Sequence, residues 1–253
     1  SGKGIKVGQR GARWLKVALI APEGMLNWTK HGDMHFILTN VAKKRRLWMF
    51  FKGEKKYKML DNGVYETNFP LDPERLVRIA KLVRADEVVA PDYLMRKRET
   101  ITATKEFVEC YRQKGLKICA VPQGRDPVDF IDAYRKMKRL PVDVIAIPIW
   151  LQKLFRARPA VVGYLQKHKI WDETKEHHLL GLDEYGELYA YEKNILRSVD
   201  TSLPFSLTNS QIWETFYYVP HRRIDMDRGP FTKMQERMLI RHIRELKKVA
   251  KRA

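Results

Sequence analysis

Between residues 56 and about 203, short continuous apolar runs alternate with stretches whose apolar positions recur every three or four residues. The runs fall at 56–61, 87–92, 117–124, 142–148, 178–181 and 196–200. Continuous rather than alternating apolarity predicts strands buried on both faces, which means a parallel sheet covered by helices. One helix is predicted from Asp72-Pro73, with proline just inside its start and Leu76, Ile79, Ala80 and Val83 on one face. Another covers about 100–114 and ends at Gly115. A third starts at Asp126-Pro127 and carries Val128, Ile131 and Tyr134. Further helices are expected near 159–169 and around 187–194. The last, about 231–250, sets Met238, Leu239, Ile243, Leu246 and Val249 against a face bearing Arg237, Arg241, Arg244, Lys247, Lys248 and Lys251.

About six strand–helix units result. The apolar run at 15–20 and the end of the chain are expected to supply the remainder of a TIM-type (β/α)8 barrel, an α/β fold. The 253 residues are close to the roughly 250 that such a barrel uses. An open doubly wound sheet is the alternative, but the Gly-rich fingerprint expected after its first strand is absent. No internal repeat, low-complexity linker or Pro/Ser-rich boundary divides the chain. We expect one domain over 1–253: a basic N-terminal segment and first strand at 1–32, a barrel core at 33–205, and barrel closure with a basic helix at 206–253.

Charge changes the picture more than composition does. Hydrophobic residues at 44% and charged residues at 31% exclude a disordered chain. No apolar run approaches the roughly 18 residues of a membrane span. No stretch reads as a secretory signal, so an intracellular enzyme is expected. The two cysteines, Cys110 and Cys119, are too few for a disulfide framework or a Cys-rich zinc site and are expected to be ordinary buried thiols. Lys and Arg total 49 against 30 Asp and Glu, a formal net charge of +19 that favours polyanionic partners. Nucleic acid is preferred to a membrane surface, because no lipidation motif or basic amphipathic anchor leads into an apolar segment. Residues 1–16 hold five Lys or Arg and no acid. A second cluster starts at Lys43, Lys44, Arg45 and Arg46, the candidate nucleic-acid contacts; a solvated charge run is the alternative. Trp48, Phe50 and Phe51 lie among these charges as core residues or stacking surfaces.

The candidate chemistry lies at the strand ends. Asp61, Asp92, Gln123 and Asp200 each close an apolar run. In a β/α barrel all such ends open on the face that carries the active site, so four polar groups distant in sequence are expected to converge. Each alone has a plainer reading, since Asp commonly caps the following helix. His177 and His178 begin a strand, lack metal-ligand spacing and receive no role. Asp183 and Glu184 read as a polar loop. Tyr65 and Tyr93, each near or next to a strand-end aspartate, are either core or stacking residues.

In order, Leu60-Asp-Asn-Gly-Val-Tyr-Glu66, Val121-Pro-Gln-Gly124, Leu179-Leu-Gly-Leu182 and Ser198-Val-Asp-Thr-Ser202 resemble the motifs of the tRNA-guanine transglycosylase superfamily. They are most similar to its short branch, the phage and bacterial DNA 7-deazaguanine transglycosylases. The resemblance covers roughly residues 33–205. It implies a barrel enzyme, a pentosyltransferase, that exchanges guanine in DNA for a 7-deazaguanine such as 7-cyano-7-deazaguanine through a covalent aspartyl–nucleotide intermediate. It implies Asp200 as nucleophile and Asp61 as general acid/base. Asp92, Gln123, Gly124, Gly181, Asn62 and Gly63 would bind the base. The expected location is cytoplasmic, in the host if a phage encodes the chain. Two departures stand out. The tRNA enzymes carry a Cys-rich zinc site after the nucleophile strand, and this chain has no cysteine beyond Cys119. No zinc or other cofactor is therefore expected, and DNA is preferred to tRNA as substrate. The segment from Leu203 to Asn209 lacks those enzymes' Pro-Thr-Arg pattern. The alternatives are an enzyme acting on tRNA or another RNA, a non-catalytic nucleic-acid-binding barrel, and a barrel in which water resolves the intermediate.

Overall fold

The computed structural model describes residues 14–42, 44–112, 115–213 and 230–253. Its eight parallel strands are β1 (Lys16–Leu19), β2 (His35–Ile37), β3 (Lys58–Leu60), β4 (Glu87–Val89), β5 (Lys117–Ala120), β6 (Val144–Pro148), β7 (Glu176–Leu180) and β8 (Ser198–Thr201). From β2 to β8 each strand pairs with its sequence neighbours, and β8 pairs back onto β1. The seam between β1 and β2 is held by an isolated bridge, Ala18 to Met34, and by Asp33 N–H donating to the Val17 carbonyl at 2.7 Å. The result is a nearly closed (β/α)8 barrel. One expectation differs: the strand missing from the sequence pattern is His35–Ile37, and among the described residues the end of the chain supplies none. The strand's short apolar stretch is broken by His35, which is itself buried.

The helices are α1 (Thr39–Ala42), α2 (Arg45–Gly53), α3 (Val64–Thr67), α4 (Pro73–Val83), α5 (Lys97–Tyr111), α6 (Pro127–Met137), α7 (Trp150–Phe155), α8 (Arg158–Lys167), α9 (Leu203–Asn209) and α10 (Lys233–Ala250). Asp72 and Asp126 cap α4 and α6, accepting from Arg75 N and Asp129 N, with proline in the first turn as predicted. The face of α6 is rotated from expectation. Phe130, Ala133, Tyr134 and Met137 are buried, whereas Val128 is exposed. Residues around 187–194 form no α-helix; a short 3-10 turn, Tyr185–Ala190, stands there, with Tyr185, Glu187 and Leu188 buried. A Thr232–Gln235 capping box starts α10, which buries Met238, Leu239, Ile243, Leu246 and Val249 and exposes Arg237, Arg241 and Arg244. Cys119 is buried as expected, but Cys110 is exposed on α5.

The N-terminal end of the barrel is closed by charge. Arg197 reaches both oxygens of Glu87, at 2.6 and 3.1 Å, and also Glu176 at 3.2 Å. Tyr57 O–H donates to Glu87 at 2.6 Å, and Lys117 pairs with Glu176 at 2.7 Å. These carboxylates lie where strands begin, so the opposite end is left to open on the cavity.

Candidate active site

The C-terminal strand ends surround a cavity of about 490 Å³, within the roughly 300–1,000 Å³ common for small-molecule sites. Its wall includes Asp61, Asp92, Gln123, Gly181 and Asp200, so five of the eight residues expected to act on the base converge there. Asn62, Gly63 and Gly124 lie behind that wall.

Asp61 follows β3, its backbone N–H held by the Ile37 carbonyl at 2.9 Å. The chain then turns sharply, and Gly63, at φ 82°, donates its N–H to Asp61 Oδ2 at 2.9 Å. Only glycine suits this position, since a Cβ would strike Thr39 as well as occupy the left-handed region. Burial holds the Asp61 carboxyl well above the usual range, and the Glu66 charge adds to it. The Gly63 N–H opposes the shift; Asp92 and Asp200 reinforce it.

Asp92 is 1% exposed and accepts at both oxygens. Asn62 Nδ2 donates to Oδ1 and Gln123 Nε2 to Oδ2, each at 2.5 Å. Asn62 also donates to the Ala90 carbonyl at 2.8 Å, and Gln123 Oε1 accepts from Met95 N at 3.2 Å. Asn62 thus orients Asp92 from behind. Burial raises the Asp92 pKa to about 6, against the two amide donors that lower it. A carboxylate has about four acceptor positions, so two remain for a ligand.

Asp200, in β8, accepts at one oxygen from two donors. His178 Nε2 and Gly181 N each lie 2.9 Å from Oδ1. Among the described residues, nothing hydrogen-bonds to Oδ2. Gly181, at φ 80°, is turned so that its N–H meets Asp200 while its carbonyl accepts from Arg158 Nη2 at 2.9 Å. Arg158, wholly buried, forks onto Glu187 at 2.6 and 2.8 Å, and Tyr191 O–H donates to the same carboxylate at 2.6 Å. A buried ion pair thereby fixes the loop that holds the Asp200 carboxylate.

Gly124 has a different reason to be glycine from the base approach expected of it: a Cβ there would stand 2.6 Å from Phe130 N and 2.7 Å from Asp129, at the start of α6. Tyr65 is 40% exposed at the rim, where Lys153 Nζ reaches its hydroxyl at 3.3 Å and Asp183 at 3.5 Å. Tyr93 is off the wall, and Phe51 is core. Lys43 lies outside the described residues. Lys44 pairs with Glu23 at 2.7 Å, and Arg45 and Arg46 are exposed at the start of α2, away from the cavity wall.

His178, Lys153, Asp183 and the Arg158–Glu187 pair stand at or behind the cavity without having been expected there. For His178 a signal existed. Side chains alternate along a strand, so one member of His177-His178 had to face the barrel interior. It is His178, opposite Ser198 across the β7–β8 ladder, while His177 stacks on Trp171 with ring centroids 3.6 Å apart.

No protein-family model matches the chain, and no curated protein matches it. Among the described residues, no group of three or more His, Cys, Asp or Glu side chains is disposed to hold a metal ion, and no helix is long and apolar enough to cross a membrane.

Proposed function

We propose that this protein is a nucleic-acid guanine transglycosylase that exchanges guanine in DNA for a 7-deazaguanine through a covalent aspartyl–nucleotide intermediate. The observation that carries the reading is the contrast between two carboxyls on one cavity wall. Asp200 Oδ1 accepts two N–H groups and leaves Oδ2 for a substrate, while burial and the neighbouring carboxylates favour the protonated form of Asp61, which faces the same cavity. A nucleophile and a proton donor are the two groups that base exchange requires.

In this reading the target nucleotide is flipped out of the stack into the cavity, or presented single-stranded. Asp92 accepts from guanine N1–H and N2–H with its remaining lone pairs, and the second Gln123 Nε2 hydrogen meets O6. Asp200 Oδ2 bonds to C1′ as the C1′–N9 bond breaks, and its electron pair leaves with the guanine, which takes the Asp61 proton. The incoming base returns a proton to Asp61 and displaces Asp200 from C1′. The exposed basic face of α10 and the net charge of +19 suit a phosphate backbone. The preference for DNA over tRNA rests on the sequence resemblance and the missing cysteines.

The test is incorporation of labelled guanine, and of labelled 7-cyano-7-deazaguanine, into DNA and tRNA side by side. Incorporation into DNA that Asp61→Ala and Asp200→Ala both abolish is the expected result. Incorporation into tRNA alone would move the substrate to RNA. Tight, salt-sensitive binding without incorporation into either would leave a binding barrel in place of an enzyme. Release of free guanine without exchange would mean that water resolves the intermediate.

A further inference from the structure

We propose that His178 is the positioning residue for the nucleophile: its Nε2–H, fixed by Ser198 and Arg197, holds Asp200 Oδ1 and so turns Oδ2 toward C1′. The role given to Asp200 rests on the base-exchange reading above; the hydrogen-bond relay does not.

The relay can be followed donor by donor from the closed end of the barrel to the cavity. Arg197, clamped on Glu87, has only donors, and its Nε–H reaches Ser198 Oγ at 3.0 Å. Ser198 Oγ, accepting from Arg197, lies 2.8 Å from His178 Nδ1. Nε2 faces Asp200 Oδ1 at 2.9 Å, an oxygen that already accepts the Gly181 N–H, so in the neutral imidazole the proton sits on Nε2 and Nδ1 accepts the Ser198 hydroxyl hydrogen. Phe36 lies parallel to the imidazole, with ring centroids 5.8 Å apart and planes 8° from parallel. His178 and Ser198 are both fully buried, and the ring's two nitrogens are both engaged. A histidine serving only as barrel filling would not need a fixed tautomer aimed at a carboxylate on the cavity wall.

The arrangement has a consequence for the chemistry. When Asp200 Oδ2 bonds to C1′, Oδ1 becomes the ester carbonyl oxygen; when the incoming base takes C1′, the electron pair of the C1′–Oδ2 bond returns to the carboxylate. His178 and Gly181 donate to the oxygen that never bonds to sugar. They hold its geometry through both steps and stabilise the charge that returns in the second.

Two variants and one spectrum test this. His178→Phe keeps an aromatic ring against Phe36 and removes the donor; His178→Gln keeps an N–H near the position of Nε2. With guanine-containing DNA and tRNA transcripts as probes, His178→Phe is expected to lower kcat for labelled-guanine exchange roughly 10- to 100-fold, the worth of a hydrogen bond to a charged group. The dissociation constant for the nucleic acid should stay unchanged, and His178→Gln should recover most of the rate. Wild-type exchange by His178→Phe would overturn the proposal, as would equal losses in both variants that track a lowered unfolding midpoint. No exchange by the wild-type protein would overturn the base-exchange reading and the role of His178 with it. The long-range 1H–15N spectrum of labelled histidine reads the relay whatever the activity: a proton on Nε2 of His178 is expected, and a proton on Nδ1 would overturn it.

Discussion

Burial pushes the Asp92 carboxyl up to about 6, while Asn62 and Gln123 donate to its two oxygens and favour the anion. The guanine edge offers two further donors, which also require the anion. Affinity for free guanine is therefore expected to fall as pH drops through about 6, measured by equilibrium dialysis between about pH 8 and about pH 5. Affinity constant across that range would remove Asp92 from base recognition. The same shift bears on folding. Between the ordinary value of 3.8 and about 6 the folded state holds more protons at Asp92 than the unfolded chain, so this residue's contribution to stability declines as pH rises through that window. At this scale much of the site was legible in the sequence. Asp61, Asp92, Gln123 and Asp200 each stop an apolar run, and a barrel gathers such stops on one face. His178 was legible only in part: one of His177 and His178 had to face the interior, but the partner Ser198 belongs to a strand twenty residues on. Gly124 was legible as a required glycine, but the close contact that requires it comes from α6.

The loop after β7 shows how elements hold a side chain in place. Its Gly181 must lie at positive φ to aim an N–H at Asp200, and a Cβ there would sit 3.2 Å from that of Ile149. Gly181→Ala is expected to cost about 1–3 kcal/mol and to lower exchange by more than that destabilisation explains. Urea unfolding and exchange at matched folded fractions would separate the two effects. Arg158→Met leaves Glu187 charged and buried and is expected to cost about 3–5 kcal/mol; adding Glu187→Leu should restore part of it. A loss below about 1 kcal/mol in the single variant would mean that the pair does not hold the loop. The elements the sequence hid are the short ones. α7 has six residues and α9 seven, too few for a period to show, and the run that forms β2 is broken by His35. The long helices α4 and α10 buried the faces their spacing predicted. On α6 the exposed Val128 shows that an apolar residue in the first turn need not face the barrel.

Across the whole molecule the two barrel ends differ in kind. One is closed by Arg197, Glu87, Tyr57, Glu176 and Lys117, and the other opens on Asp61, Asp92 and Asp200. With a formal charge of +19, nucleic-acid affinity should fall linearly with the logarithm of salt concentration, by about 0.9 log units per duplex phosphate engaged. Replacing Arg237, Arg241, Arg244 and Lys248 by Gln is expected to flatten that slope and weaken binding, with the exchange rate at saturation unchanged; an unaltered slope would place the phosphate track elsewhere. The (β/α)8 architecture was legible from six runs and their helices, whereas the strand that completes the ring was not. In the proposed exchange Asp200 carries the nucleotide between the two half-reactions. The most direct measurement is mass spectrometry of the protein denatured during turnover on guanine-containing DNA and then digested. A peptide spanning Asp200 that bears a nucleotide without its base is expected, absent from the Asp200→Ala protein. Exchange that proceeds with no such adduct, or with the adduct on another residue, would contradict it.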